Sequence, residues 1–220
     1  MLKQIVISLV DCLTFPLYLC YVKYRNVKLK SSLGFCGKNV IFAKPDFIVS
    51  PNKIFIYENS NIYENSKFII SNRNDGGRFI MKKNSGAAQG LTVVTGNHGR
   101  KIGISFKDLI LLNTHEKDID VIVEEDVWLA SNVTLLAGVI VGRGATIGSG
   151  AVVRNSIPPY AIVLGNPAKV VGFNFTPEEI VEHEKVLYPE EERLPLELLE
   201  KDYNKYFLKR LKEIKEYTRL

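Results

Sequence analysis

From Val123 to Pro158 the chain reads VEEDVW LASNVT LLAGVI VGRGAT IGSGAV VRNSIP, six hexads without a break. Their first residues, Val123, Leu129, Leu135, Val141, Ile147 and Val153, are all aliphatic, and their fifth, Val127, Val133, Val139, Ala145, Ala151 and Ile157, are small or branched. A period of six is neither the 3.6 of a helix nor the alternation of an ordinary strand. It suits a solenoid in which each hexad is a short strand plus a corner and three hexads close one triangular coil. The first residue then points into the prism. Gly138, Gly142, Gly144, Gly148 and Gly150 suit tight corners.

Counting back by sixes from Val123 reaches Val93, Ala87 and Met81, so MKKNSG AAQGLT VVTGNH is in the same register and His98 closes its last hexad. Further upstream, IYENSNIYENSKF repeats six residues almost literally, but in another phase. Corner insertions are therefore expected between Phe68 and Met81. CGKNVIFAKPDFIVSPNK reads as a looser opening coil. Between His98 and Val123 lies GRKIGISFKDLILLNTHEKDID, too irregular for a coil, and most of it (about 99–120) is expected to be a loop pushed out of a corner. Ordered loops on rigid scaffolds often build binding sites.

Outside the repeats, residues 5–22 are apolar, interrupted by Asp11 and Pro16 and flanked by Lys3, Lys23, Arg25, Lys28 and Lys30. No small-residue cleavage site follows, which argues against a signal peptide. An Asp at mid-bilayer costs roughly 2.5–3.5 kcal/mol. The preferred reading is a helix packed on its own protein or a neighbouring subunit; the alternative is peripheral membrane contact. After the prism, FTPEEI reads as a helix start with Thr176 as cap, Pro177 in the first turn and Glu179 completing a capping box. YPEEERLP breaks that helix. Leu196, Leu199, Tyr203, Tyr206, Leu211, Ile214 and Tyr217 then mark one face of a final helix. The expected division is an apolar helical segment over 1–35, the solenoid over 36–172 and a helical extension over 173–220. With 46% hydrophobic residues the chain can bury a core. Its net charge of +5 is scattered without a nucleic-acid module, so no nucleic-acid partner is expected. Cys12, Cys20 and Cys36 show no ligand spacing and suit buried thiols in a reducing cytoplasm.

The hexads followed by IPPYAIVLGNPAKVVG resemble the hexapeptide-repeat acyltransferases, and within them the maltose, galactoside and xenobiotic O-acetyltransferase branch, including polysaccharide O-acetyltransferases. The resemblance covers roughly residues 36–172. It implies an all-β solenoid, a left-handed parallel β-helix with an extruded loop; the usual crossover rule gives the opposite hand. It also implies acetyl-CoA as co-substrate, no metal, and a homotrimer with clefts between subunits.

The resemblance carries over residue by residue. TGNH matches the family's T-x-N-H setting, making His98 the general base, for which a neutral imidazole is suited near pH 7. Trp128 heads WLASNV, similar to the family's W-I-G motif with Ala130 in place of glycine. Ser131 and Ser149, one coil apart, should stack on one edge beside the pantetheine arm. Arg154 and Asn155 fall near the arm and adenosine. NPAK puts Lys169 where relatives place a cation against coenzyme A phosphate. Asn97 and Asp75 are candidate partners for a sugar hydroxyl. His115, in the loop, and His183, in the first C-terminal helix, are the other histidines. The γ-class carbonic anhydrases share the fold but need three zinc ligands from paired histidines, which three widely spaced histidines do not supply.

The sequence thus points to an acetyl-CoA-dependent O-acetyltransferase acting on a carbohydrate or lipid-linked sugar hydroxyl, in surface polysaccharide biosynthesis, in the cytoplasm or at the inner face of the membrane. An N-acetyltransferase on an amino sugar or nucleotide sugar, and a non-catalytic scaffold, are the alternatives.

Overall fold

The hexads do build coils. A computed structural model describes residues 2–73, 76–96, 99–111 and 118–218. Its first coil holds β1 (Phe35–Cys36), β2 (Ile41–Phe42) and β3 (Phe47–Ile48). The second holds β4 (Ile54–Ile56), β5 (Asn61–Ile62) and β6 (Lys67–Ile69), and the third β7 (Phe79–Met81), β8 (Gly86–Ala87) and β9 (Thr92–Val94). The fourth has β10 (Val121–Val123), β11 (Trp128–Leu129) and β12 (Thr134–Leu135); the fifth has β13 (Ile140–Val141), β14 (Thr146–Ile147) and β15 (Val152–Val153). Every third strand pairs in parallel with its counterpart one coil on. The result is three faces: sheet one (β1-β4-β7-β10-β13), sheet three (β3-β6-β9-β12-β15) and, between them, sheet two (β2-β5-β8-β11-β14). Sheet two is extended by β16 (Ala161–Leu164), parallel to β14, and by β17 (Lys169–Phe173), antiparallel to β16.

The register explains the repeat. Ile56, Met81, Val123 and Val141 form one inward column, and Phe42, Ile62, Ala87, Leu129, Ile147 and Val163 another. Phe68, Val93, Leu135 and Val153 complete the third column. All of these but Phe42, nearly buried itself, are fully buried, so every aliphatic first residue of the hexads is core. Apolar burial on this scale is what stabilises a stack whose two-residue strands have little cooperativity of their own.

Two corner expectations need correction. Of these five, Gly138, Gly144 and Gly150 have the left-handed backbone; at Gly142 the backbone of residues 157–159 passes too close for a Cβ, and at Gly148 the Leu164 side chain fills the space. On the edge between sheets one and two, asparagine does the glycine's work. Asn39, Asn59 and Asn84 sit at φ near +60°, and their amides hydrogen-bond from coil to coil at 3.1 Å. Asparagine tolerates this conformation because its short polar side chain finds local partners.

The expected insertions are present. Phe68 to Met81 spans thirteen residues where an ideal corner takes six, and Val93 to Val123 spans thirty. Within the second excursion a short helix, Phe106–Leu111, lies where an irregular loop was expected.

The N-terminal helix α1 (Leu2–Ser31) runs straight through Pro16. Residues 14–21 are exposed without interruption, so this part does not pack on its own prism, which leaves a neighbouring subunit or a membrane surface as its expected partner. Cys20 is likewise exposed rather than a buried thiol. In order along the chain, α2 is the Phe106–Leu111 helix and α3 is Pro177–Leu187, opened by the expected Thr176–Glu179 capping box. The final helix is two, α4 (Leu196–Tyr206) and α5 (Leu211–Thr218), broken where Phe207 leaves helical geometry. Phe207 packs its ring on Phe173 and Tyr203, so tertiary packing overrides the sequence stripe.

The extension is clamped to the fifth coil by charge. Arg143, close to fully buried, donates from Nη1 to Glu184 at 3.1 Å and to the Glu192 carbonyl at 2.8 Å, and its guanidinium lies 4.1 Å over the Tyr188 ring. Tyr160 also donates to Glu184, at 3.0 Å. Burial, reinforced by the Glu184 charge, pushes the Tyr160 phenol far above its ordinary range, and burial pushes Tyr188 up to about 12.

Candidate active site

His98, Asn97, Asp75 and His115 lie outside the described residues. What the structure builds is the frame on either side of them. Strand β9 delivers the chain to Thr95, which is fully buried. Its N–H donates to the Ile69 carbonyl at 3.2 Å, and its own carbonyl accepts from Ile119 N–H at 3.0 Å. The two ends of the long excursion are therefore bonded to each other. The coil closes beneath the loop as if the loop were absent, and a rigid root results.

Asp118 is the centre of that root. Its side chain is 5% exposed, accepts from the Ser71 hydroxyl and lies 4.0 Å from Arg73. Ser71 N–H in turn donates to Thr95 Oγ1 at 2.9 Å, and Arg73 N–H donates to the Ser71 hydroxyl at 3.1 Å. A Cβ on Gly96 would stand 2.6 Å from an Asp118 carboxylate oxygen, and one on Gly77 2.8 Å from Ser71. These glycines let two excursions close around one buried carboxylate. Two residues on, Asp120 Oδ2 accepts from Arg78 Nη2 and Nε at 2.6 and 3.0 Å, and its Oδ1 accepts from the Arg78 N–H at 2.8 Å. Burial alone would raise the Asp120 carboxyl, but the Arg78 hydrogen bonds and charge outweigh it and hold it below its ordinary value. Sequence reasoning missed Asp118 and Ser71. The only signal was position: Asp118 is among the last loop residues before the hexad register resumes.

The residues assigned by resemblance fall on different edges. The loop root is on the edge between sheets three and one, and Arg154 and Asn155 leave β15 at that edge, exposed. Ser131 and Ser149 stack as expected, on the edge between sheets two and three, where Gly150 N–H donates to the Ser131 carbonyl at 2.9 Å. Ala130 leads into the same corner, and the Gly165–Lys169 turn stacks on it through Val152 N–H to Gly165 O at 3.2 Å. Lys169 is exposed, 3.8 Å from Glu213 and 5.1 Å from the Tyr217 ring. Trp128 stands on the outer face of sheet two, 47% exposed, against Gly86 on the neighbouring strand. Sheet three thus separates the loop root from the serine edge within one chain.

His183 is structural in its surroundings. Its ring stands edge-on to Tyr160 and beside Phe175, with Nε2 3.9 Å from Asp126. A cleft of about 470 Å³ lies on sheet one at the border with the C-terminal extension, and neither Thr95, Asp118 nor Ser71 lines it. Its Lys82, Lys83 and Arg143 are paired with Glu125, Glu192 and Glu184, which leaves little charge for a ligand. Among the described residues no group of His, Cys, Asp and Glu could hold a metal ion.

The outer face of sheet one has another property. Phe35, Phe55, Ile80, Ile122 and Ile140 stand in register along it, an apolar row from the first coil to the fifth. This face borders the edge that carries the loop root.

Residues 120–155 match the family of bacterial transferase hexapeptides (six repeats). No curated protein sequence matches the chain. Among solved structures, a galactoside acetyltransferase in complex with coenzyme A aligns at a TM-score of 0.59 and 19% identity, covering 79% of this chain and 78% of that one. A hexapeptide-repeat containing acetyltransferase from Vibrio cholerae O1 biovar eltor, complexed with acetyl coenzyme A, aligns at 0.59 and 19%, covering 69% and 76%. The likeness is one of fold, the left-handed parallel β-helix; in this chain helices stand at both ends of it.

Proposed function

We propose that this hexapeptide-repeat protein is an acetyl-CoA-dependent O-acetyltransferase acting on a carbohydrate hydroxyl, of the kind used in surface polysaccharide biosynthesis. The observation that carries the reading is the loop root. A hexapeptide β-helix is interrupted at TGNH by one long excursion whose ends are bonded through Thr95 and Ile119, and fold neighbours hold coenzyme A or acetyl coenzyme A. That is the construction expected where a rigid scaffold must present a base beside a binding cleft.

In this reading the His98 imidazole takes the proton of the acceptor hydroxyl as its oxygen attacks the thioester carbonyl. The tetrahedral intermediate collapses, the carbon–sulfur bond breaks, and coenzyme A leaves as the thiol with the proton returned from His98. Transfer is direct, without an acyl-enzyme. Asn97 and Asp75 position the acceptor. Trp128, Ala130, Ser131 and Ser149 line the pantetheine path, Arg154 and Asn155 lie toward the adenosine, and Lys169 meets phosphate. The Lys169–Glu213 pair is exposed and screened by solvent, so a phosphate can displace the glutamate.

Because these groups lie on two edges of one prism, a second wall is required, and burying a long ligand takes a concave site. We assign that wall to a neighbouring copy in a homotrimer, with the apolar row of sheet one at the contact. Incubation with acetyl-CoA and a panel of sugars, amino sugars and lipid-linked sugars, followed by product mass analysis and mild alkali, tests the reading. An alkali-labile acetyl ester is the expected product. An alkali-stable amide, or no coenzyme A release with any acceptor, would contradict it.

A further inference from the structure

Seven of the first 45 residues are Lys or Arg and one, Asp11, is acidic, an excess greater than the +5 of the whole chain. From Cys12 to Pro45 there is no acid at all. These residues build one end of the molecule, helix α1 and the first coil. Lys30 turns inward, its Nζ donating to the Val40 carbonyl at 2.6 Å, and fixes the root of α1 on that coil. Lys23, Lys28, Lys38 and Lys44 are exposed.

The eight consecutive exposed residues 14–21 exceed two helical turns, so every face of α1 is open there. Phe15, Leu17, Tyr18, Leu19 and Tyr21 are among them. A helix apolar all round belongs in a core or in lipid, not in water. Its residues also run in a definite order: an apolar stretch to Leu19, tyrosines at 18, 21 and 24, then cations at 23, 25 and 28. That is the order of acyl layer, interface and headgroup, since Tyr prefers the membrane–water boundary.

The first coil supplies an independent observation. Ile41 and Phe47, on sheets two and three, are 48% and 52% exposed. On sheets two and three the next coils carry Asn61, Gly86, Lys67 and Thr92 at the same positions. The apolar excess on those two faces is thus strongest at the α1 end, with Lys38 and Lys44 at its corners.

We propose that this end docks on an anionic bilayer. The apolar part of α1 enters the acyl layer end-on, its tyrosines lie at the interface, and Lys23, Arg25, Lys28, Lys38 and Lys44 face lipid phosphates. Attachment to one leaflet is meant: among the described residues no helix is long and apolar enough to cross a membrane. Docking of this kind holds the prism at a surface where a lipid-linked sugar is presented.

Sedimentation of the full chain with phosphatidylcholine vesicles containing phosphatidylglycerol, against phosphatidylcholine alone, tests the proposal. The chain should bind the anionic vesicles more tightly, and less so at high salt. Lys23→Glu with Lys28→Glu should weaken binding by roughly tenfold or more. Leu17→Asp with Leu19→Asp should abolish it while circular dichroism shows the β-helix intact. A chain that stays in the supernatant with both vesicles, or binds equally in all variants, would overturn the proposal. So would α1 variants that change the oligomeric mass in the absence of vesicle binding, which would assign the helix to a second copy.

Discussion

Asp118 shows what a single residue contributes when the chemistry is carried by its neighbours. Among the described residues it fixes Ser71 and Arg73 on one excursion and crowds Gly96 on the other. Displacing a base by about 1 Å can cost on the order of 10²-fold in rate. Asp118→Ala is therefore expected to lower kcat by about 10- to 100-fold while leaving the KM for acetyl-CoA within about twofold. Asp118→Asn, which keeps an acceptor for the Ser71 hydroxyl, should recover much of the loss. Steady-state kinetics of both variants check this, and an unchanged kcat in Asp118→Ala would remove Asp118 from the positioning role. The aliphatic hexad residues were legible because a period-six constraint repeats along the sequence. Asp118 was not, because its partner Ser71 is 47 residues away and nothing local marks the pair. The corner asparagines were half legible: ENS recurs in the duplicated hexads, but the coil-to-coil ladder appears only once the coils stack.

At the scale of elements, the capping box of α3 was readable because its signals lie within four residues, whereas the break between α4 and α5 depends on Phe207 meeting Phe173 across the fold. The energetics of the extension rest on the Arg143–Glu184 pair. Glu184 is 1% exposed and accepts from Arg143, Tyr160 and the Leu194 N–H at 2.5 Å. Removing one partner of a buried pair costs about 3–5 kcal/mol, and Glu125, 3.4 Å from Arg143 Nε, keeps this case at the lower end. Glu184→Ala should lose about that much stability in denaturant unfolding. The double variant Arg143→Met, Glu184→Leu should recover part of it, because the buried charges go together while the Tyr160 hydroxyl and the Leu194 N–H still lose their acceptor. A loss below about 1 kcal/mol in the single variant would show that α3 is not held by this pair.

The whole molecule is a rigid prism with its chemistry displaced to its edges. Its three faces were legible in the sequence, because each coil repeats the last. The open surroundings of residues 14–21 were not, since exposure of an apolar helix depends on where the rest of the fold lies. Nor was the distribution of the candidate groups over two edges, which follows from counting corners rather than hexads. In the proposed function that distribution makes the cleft a property of the assembly and the base a property of one loop root. The central claim therefore reduces to His98. Coenzyme A release with a responsive sugar acceptor should be compared between the unaltered chain and His98→Ala, with circular dichroism confirming that both are folded. A fall in turnover of roughly 10²–10⁴-fold is the expected result for a general base; turnover near that of the unaltered chain would contradict the account.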